Sequence, residues 1–442
     1  MGIFDKIFWN AKEEDNAPSI KFGRYSDSYK EKEKYKDWDR SIELFENGEF
    51  LGSLRLFFDY LKEDGVDNVS YTESDGTIDF ELYQGSKKVV GRADKHSFWA
   101  EAKIAKTSTL EIGFLRRLME ENFGLKYSRY ALDEDDNLTM VYHSFAHDGS
   151  PYKNYYGLKE LATSADKQDD IIVEEFDSLD NINTGHTEDT PDHIKEIKYN
   201  YLISRIEAAI KEVNEGKLNI DQYPGGIAYL LLEIVYKCDY LLKPEGYTMK
   251  QFEEIHKIYF QKDGKSPQYK NREIIKVFKK ILERKKEDFF QEWYDVKATF
   301  GVTAPTAHAN LANFIDNELN NLDWYKNNKH NAVAQAVPNY IVGYYLFNYA
   351  VPAIDRSLLH LYYEVVEHEF MKEVGIDKGY INKGKLSKSA IKNKISSILK
   401  RYKSIYPSIK PQYAVLKYDS LVSFSKSYLV FIRHLNLAKV EA

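Results

Sequence analysis

His360, Glu364, Glu367 and His368 recur at i, i+4, i+7 and i+8, so on a helix they share one face. Imidazoles and carboxylates gathered in this way are transition-metal ligands. A second fragment, Glu253-Glu-Ile-His256, is a Glu-x-x-His pair of the kind that di-iron helical bundles use. Those bundles need two such pairs, and Val365 stands where His368 would require a glutamate. The metal reading makes the four residues the ligands of a metal-dependent enzyme. The rival reading is a polar helix face.

His308 follows Thr303-Ala-Pro-Thr-Ala at the expected start of a helix, whose dipole disfavours its charged form. No Ser/His/Asp or Cys/His partner can be picked out along the chain. Pro224-Gly-Gly226 opens a helix and reads as a tight interhelical turn or an anion site. There is no GxxxxGK[ST] loop and no G-x-G-x-x-G. The single cysteine, Cys238, lies in the apolar run Ile227–Leu242 and reads as an inert core thiol. No catalytic residue is assigned and no cofactor is expected.

Charge supplies the remaining binding candidate. Net charge is −7, yet it divides into about −14 over residues 41–180 and about +9 over 201–442. From Lys378 to Tyr418 there is no acidic residue. Lys383, Lys385, Lys388, Lys392, Lys394, Lys400, Arg401, Lys403 and Lys410 fall inside that tract, with Tyr380, Tyr402 and Tyr406 interleaved. Lysines of this density bind phosphate by releasing counterions, and tyrosines stack on bases. Anionic lipid, a contact with the acidic half, or a plain solvated face are the other readings. The negative overall charge and the scarcity of arginine count against dedicated nucleic-acid recognition.

The elements that must position these residues divide the chain in two. Residues 1–39 read as a polar N-terminal segment or linker. Between 40 and 180, a helix interrupted at Asn47-Gly48 resumes over Phe50–Leu61. Strands follow over Val69–Glu73, Thr77–Tyr83, Lys88–Ala93 and Phe98–Lys106, with turns at Asp75-Gly76 and Gly85-Ser86. Loops this short require antiparallel pairing. Ser108-Thr-Leu-Glu111 reads as a capping box opening a helix over Glu111–Phe123. Its inward side is expected to carry Phe114, Leu115, Leu118 and Asn122. A hairpin over Ser128–Leu132 and Leu138–Phe145 and a helix over Tyr155–Leu179 complete the unit. Its polar run Asp166-Lys-Gln-Asp-Asp170 is expected to be a solvated turn of helix, with a polar contact to a partner as the alternative.

Residues 181–193 are turn-rich and read as a linker. Residues 194–442 read as all-helical, with helices over Ile194–Glu215, Gly226–Leu242, Thr248–Tyr259, Arg272–Tyr294, Ala307–Leu322, Val333–Tyr349, Ile354–Glu373, Ser387–Tyr402 and Tyr418–Leu437. No strand is expected there. The expected fold class is therefore an α+β module, an antiparallel sheet with flanking helices, followed by an all-α domain.

The first unit resembles the YbjN-like family, whose fold is shared with the type III secretion chaperones. The resemblance rests on its element order and on Tyr155-Tyr-Gly-Leu-Lys-Glu-Leu-Ala-Thr-Ser-Ala-Asp-Lys-Gln-Asp-Asp-Ile-Ile-Val-Glu-Glu-Phe-Asp177, similar to the last helix of that family. It implies a module that holds a partly unfolded client segment on an apolar surface, can pair as a homodimer, and has no active site. The sequence reading is thus a non-enzymatic protein-binding adaptor or chaperone-like factor. With one cysteine, no leader pattern and no membrane span, the expected location is cytoplasmic. The alternatives are the metal enzyme and the binder of nucleic acid or anionic surfaces.

Overall fold

The chain reverses at Asn47-Gly48, between helix α1 (Lys32–Glu46) and helix α2 (Phe50–Leu61). Ser41 and Ser53 fasten the two helices, each hydroxyl donating to the other's carbonyl at 2.7 Å. The structure is a computed structural model and describes residues 22–23, 30, 32–63, 68–107, 111–176, 179–182, 185, 187–296 and 303–438.

Strands β1 (Val69–Ser74), β2 (Thr77–Gln84), β3 (Lys87–Ala93) and β4 (Ser97–Thr107) form a meander. Asp75 and Gly76 both take positive φ, +52° and +73°, which is what a tight two-residue hairpin turn demands. Helix α3 (Ile112–Gly124) follows, then β5 (Ser128–Leu132), β6 (Asn137–Phe145), helix α4 (Pro151–Glu175) and β7 (Leu179–Asn181). The sheet is antiparallel throughout, in the order β1-β2-β3-β4-β6-β5, with β7 beside the end of β4.

Alternation decides which side is buried. Ile78, Phe80 and Leu82 of β2 point inward, with Phe58 of α2 stacked near Phe80 and Phe98. Leu158, Leu161, Ala162 and Ala165 of α4 complete this core. Gly157 lets α4 approach: a Cβ there would sit 2.5 Å from the Tyr142 ring.

The expected capping box is not formed as read. Ser108 lies outside the described residues. Glu111 is itself the extended residue before α3 and makes no side-chain cap bond, so it cannot reach back from inside the first turn. The run after Asp166 also differs from expectation. Asp166 accepts from the backbone of Ser86 and the side chain of Gln84, tying α4 to the β2–β3 turn. Lys167 pairs with Glu253 of the helical half.

That half begins with β8 (Thr187–Asp189) and α5 (Asp192–Glu215). Next come α6 (Pro224–Leu242), α7 (Gly246–Phe260), α8 (Pro267–Leu282), α9 (Lys286–Gln291) and β9 (Tyr294–Val296). The chain goes on through β10 (Ala304–Pro305), α10 (His308–Leu319), α11 (Leu322–Asn327), α12 (Asn331–Asn348), β11 (Tyr349–Ala350), α13 (Ala353–Val366) and α14 (His368–Glu373). It closes with β12 (Ile381–Asn382), β13 (Lys385–Leu386), α15 (Lys388–Arg401) and α16 (Leu421–Arg433). A second core of its own runs through these helices.

Two expected helices are each broken in two, over 272–294 and 354–373, and the short helix α11 follows the one expected over 307–322. The small strands pair β8 with β9, β10 with β11 and β12 with β13. Pairings of two or three residues are too short to leave a period-2 pattern. The expected linker carries β8, whose Asp189 binds Lys195 at 2.6 Å. The two halves meet where α4 packs on α7, and the N-terminal segment touches the helical half where the Gly23 amide donates to the Tyr240 carbonyl at 2.7 Å. Among the described residues, no helix is long and apolar enough to cross a membrane.

Candidate protein-binding surface

Helix α3 buries only Phe114 and Leu118. Phe114 meets Phe176 edge-on, with centroids 5.4 Å apart. Asn122 accepts from the Tyr130 amide at 2.7 Å and fixes the helix end to β5. The loop between them is held by Glu160 of α4. Burial pushes that carboxyl up, but bonds from the amides of Ser128, Lys126 and Tyr127 and the Ser128 hydroxyl outweigh it and leave it below its ordinary range.

The other side of α3 is apolar and open. Ile112 is 86% exposed, Leu115 38%, Met119 74% and Phe123 95%. Their spacing of three, four and four residues draws one stripe along the helix. With Arg116 and Glu120 they line a shallow groove. Arg116 pairs with Glu120 at 3.2 Å and Arg117 with Glu121 at 3.0 Å, so the stripe is edged by both signs of charge. Fully burying side chains of this size is worth about 1.5–3 kcal/mol each. Leu115 was expected inside with Phe114 and Leu118; it lies on the open side.

The uncovered face of the sheet is different in kind. Arg92 pairs with Asp79 at 2.7 Å, Lys88 with Glu81 at 2.6 Å and Lys103 with Asp133 at 2.9 Å. Trp99 and Val90 stand among these charges as partly exposed apolar groups. Of the two open faces, the α3 stripe is the continuous apolar one.

The structure does not bring the four candidate metal ligands together. His360 lies 3.6 Å from Glu364 and also meets the Tyr240 hydroxyl at 2.9 Å. Glu367 is taken by Lys237 at 2.9 Å and by Arg205 at 2.8 Å. Burial pushes its carboxyl up, but Lys237 and then Arg205 outweigh that and hold it below its usual value. The helix breaks at Glu367 (φ −104°, ψ 35°), and His368 starts a new helix facing Glu369. In the second fragment, Glu253 binds Lys167, while His256 binds the Tyr236 hydroxyl at 2.9 Å amid Phe260, Tyr344 and Phe347. Among the described residues, no group of three or more His, Cys, Asp or Glu is placed to hold a metal ion.

His308 has a partner that sequence reasoning missed. Its Nδ1 lies 2.9 Å from Asp355 Oδ1, joining the first turns of α10 and α13. Burial pushes the Asp355 carboxyl up, partly offset by His308. Cys238 is fully buried and its thiol is pushed up by burial, away from nucleophilic character.

In the basic tract, Lys383, Lys385, Lys388, Lys400, Arg401, Lys403 and Lys410 are exposed; Lys392 and Lys394 are half-buried. Lys392 lies over the Tyr413 ring, and Lys403 donates to the carbonyls of Pro407 and Ile409. Tyr380, Tyr402 and Tyr406 are buried in the helical core, which overturns their expected role as a stacking platform. Helix α15 packs on α13 through Ile391, Ile395, Ile398 and Leu399.

No family model matches the chain, and neither a curated protein nor a solved structure matches it.

Proposed function

We propose that the chain is a protein-binding adaptor or chaperone-like factor that holds a client segment on the open face of α3. The observation that carries this reading is the stripe Ile112, Leu115, Met119 and Phe123, left apolar and uncovered. Contiguous apolar surface rimmed by charge marks interaction sites on soluble proteins. The helix–strands–helix–two strands–helix order supports the same reading through the likeness to YbjN-like proteins and secretion chaperones. An extended or amphipathic client would lay alternate or i, i+4 apolar side chains into the groove.

A second occupant is favoured by one observation. Arg116 and Glu120 flank the stripe, so two antiparallel copies of α3 would set each arginine against the other's glutamate. Homodimerisation and client capture would then compete for one surface.

The test uses the full chain and a permanently unfolded polypeptide as client. Fluorescence titration is expected to give binding that weakens at least tenfold in Met119→Asp/Phe123→Asp, with far-UV circular dichroism unchanged. Sedimentation of the same pair of proteins reports the copy number. Equal client binding by both proteins would remove α3 from the function.

A further inference from the structure

We propose that the β12–β13 hairpin and helix α15 form a sequence-independent binding surface for the phosphate backbone of duplex nucleic acid. The hairpin turns at Lys383 (φ +48°) and Gly384 (φ +73°), which places Lys383 and Lys385 at its exposed tip. Ser387 caps α15 by accepting from the Ala390 amide, so the helix begins directly after the hairpin. Its apolar residues all turn inward on α13. What remains outside is Ser389, Asn393, Ser397, Lys400 and Arg401, bordered by Lys388 and Lys392 on one side and Lys394 on the other. Every exposed side chain of this helix is a cation or a neutral hydrogen-bond donor, and none is acidic.

The cations are also unspent. Among the described residues, Lys383, Lys385, Lys388, Lys400 and Arg401 have no carboxylate within ion-pair distance, whereas lysines elsewhere, such as Lys88, Lys103 and Lys426, are paired. A surface of unneutralised donors fits a polyanion.

Two further features narrow the polyanion. Among the described residues beyond Tyr325, no large apolar side chain is exposed, so nothing there inserts into a lipid surface. The three interleaved tyrosines are buried, so their rings are not offered to unstacked bases. A regular phosphate backbone, contacted without base readout, is the ligand that remains.

The experiment is fluorescence anisotropy of the full chain with a 24-base-pair duplex DNA between 50 and 200 mM salt. Contact with about five phosphates gives a log–log salt slope near −4.5, a loss of roughly 500-fold across that range. Lys388→Glu/Lys400→Glu/Arg401→Glu is expected to weaken binding at 50 mM salt at least tenfold and to flatten the slope by about three. Lys211→Glu on α5 is expected to leave it unchanged. A single strand of equal length is expected to bind more weakly than the duplex. The proposal is overturned by no binding at 50 mM salt, by binding indifferent to the triple reversal, or by tighter binding of the single strand. It is equally overturned if polyglutamate or phosphatidylserine vesicles are held in preference to the duplex.

Discussion

Helices α3 and α15 are nearly the same length, 13 and 14 residues, and both are amphipathic, yet they dispose of their apolar residues in opposite ways. Helix α15 puts all four large apolar side chains into the core and shows lysine, serine and asparagine to solvent. Helix α3 has two apolar faces, buries one through Phe114 and Leu118, and leaves the other outside. The same contrast holds between the halves. The α+β module keeps its ion pairs near the surface and exposes apolar groups. The helical half buries apolar groups and titratable ones together, with Glu367, Lys237 and Asp355 all inside. In the helical half, function is read from the charge that stays out; in the module, from the hydrophobe that stays out.

The largest expected effect tests the buried charges. Glu367→Ala leaves Lys237 with Glu233 as its remaining carboxylate and the partly exposed Arg205 without this one; since breaking a fully buried pair from one side costs about 3–5 kcal/mol, a loss of about 3 kcal/mol is expected. Urea unfolding of the variant at pH 7 measures this. The pH dependence has a definite sign. The folded carboxyl lies below its unfolded value of roughly 4.3, so its stabilisation is present above that pH and is lost as pH falls through the folded value. The variant should therefore lose less on acidification than the parent. A parallel response would place the network's strength elsewhere.

Next in size is a pair of identical truncations on one helix. Phe114→Ala removes a fully buried ring and should cost about 3 kcal/mol. Phe123→Ala, nine residues on and therefore about two and a half turns away on the open side, should change stability by about 0.5 kcal/mol or less. Equal effects in thermal melts would mean that the stripe is covered in solution.

A smaller effect should be a gain. Among the described residues, Lys198, buried on α5, has no ion-pair partner, and burial brings its ammonium down to about 8, with Asp295 partly opposing. The unfolded chain holds that proton up to roughly pH 10.4, so between the two values it binds more protons and stability rises with pH. Lys198→Met is expected to add about 2 kcal/mol at pH 7 and to flatten the stability profile between pH 8 and 10. A destabilised variant would show that the ammonium has a satisfying partner.

Much of the sheet was legible because local chemistry dictates it. The alternation Ile78, Phe80, Leu82 and the turn at Asp75-Gly76 each act over a few residues. The helices of the second half were legible by period, but their breaks were not. Glu367 departs from helix because Arg205 and Lys237, distant in sequence, draw its carboxylate inward. The stripe on α3 was hidden for a related reason. Ile112, Leu115, Met119 and Phe123 make one helical face and Phe114 and Leu118 another, and periodicity alone cannot say which faces the core. Two apolar faces on one short helix was itself the available signal. In the basic tract the lysines were readable, whereas the burial of Tyr380, Tyr402 and Tyr406 depends on how α15 docks.

The smallest expected effects bring the two helices back together. Met119→Asp on α3 and Lys400→Glu on α15 both alter exposed side chains with no partner in the core. Surface substitutions of this kind stay within about 0.5 kcal/mol of the parent in unfolding free energy. Each should nevertheless weaken one interaction and spare the other. Met119→Asp places a charge in an apolar groove and should reduce client binding while leaving the salt slope for duplex unchanged. Lys400→Glu should lower that slope and leave client binding intact. Double-mutant additivity of the two in both assays follows if the surfaces are independent. Coupling between them would mean that the acidic module and the basic tract communicate, and the contrast drawn between the halves would then describe one surface rather than two.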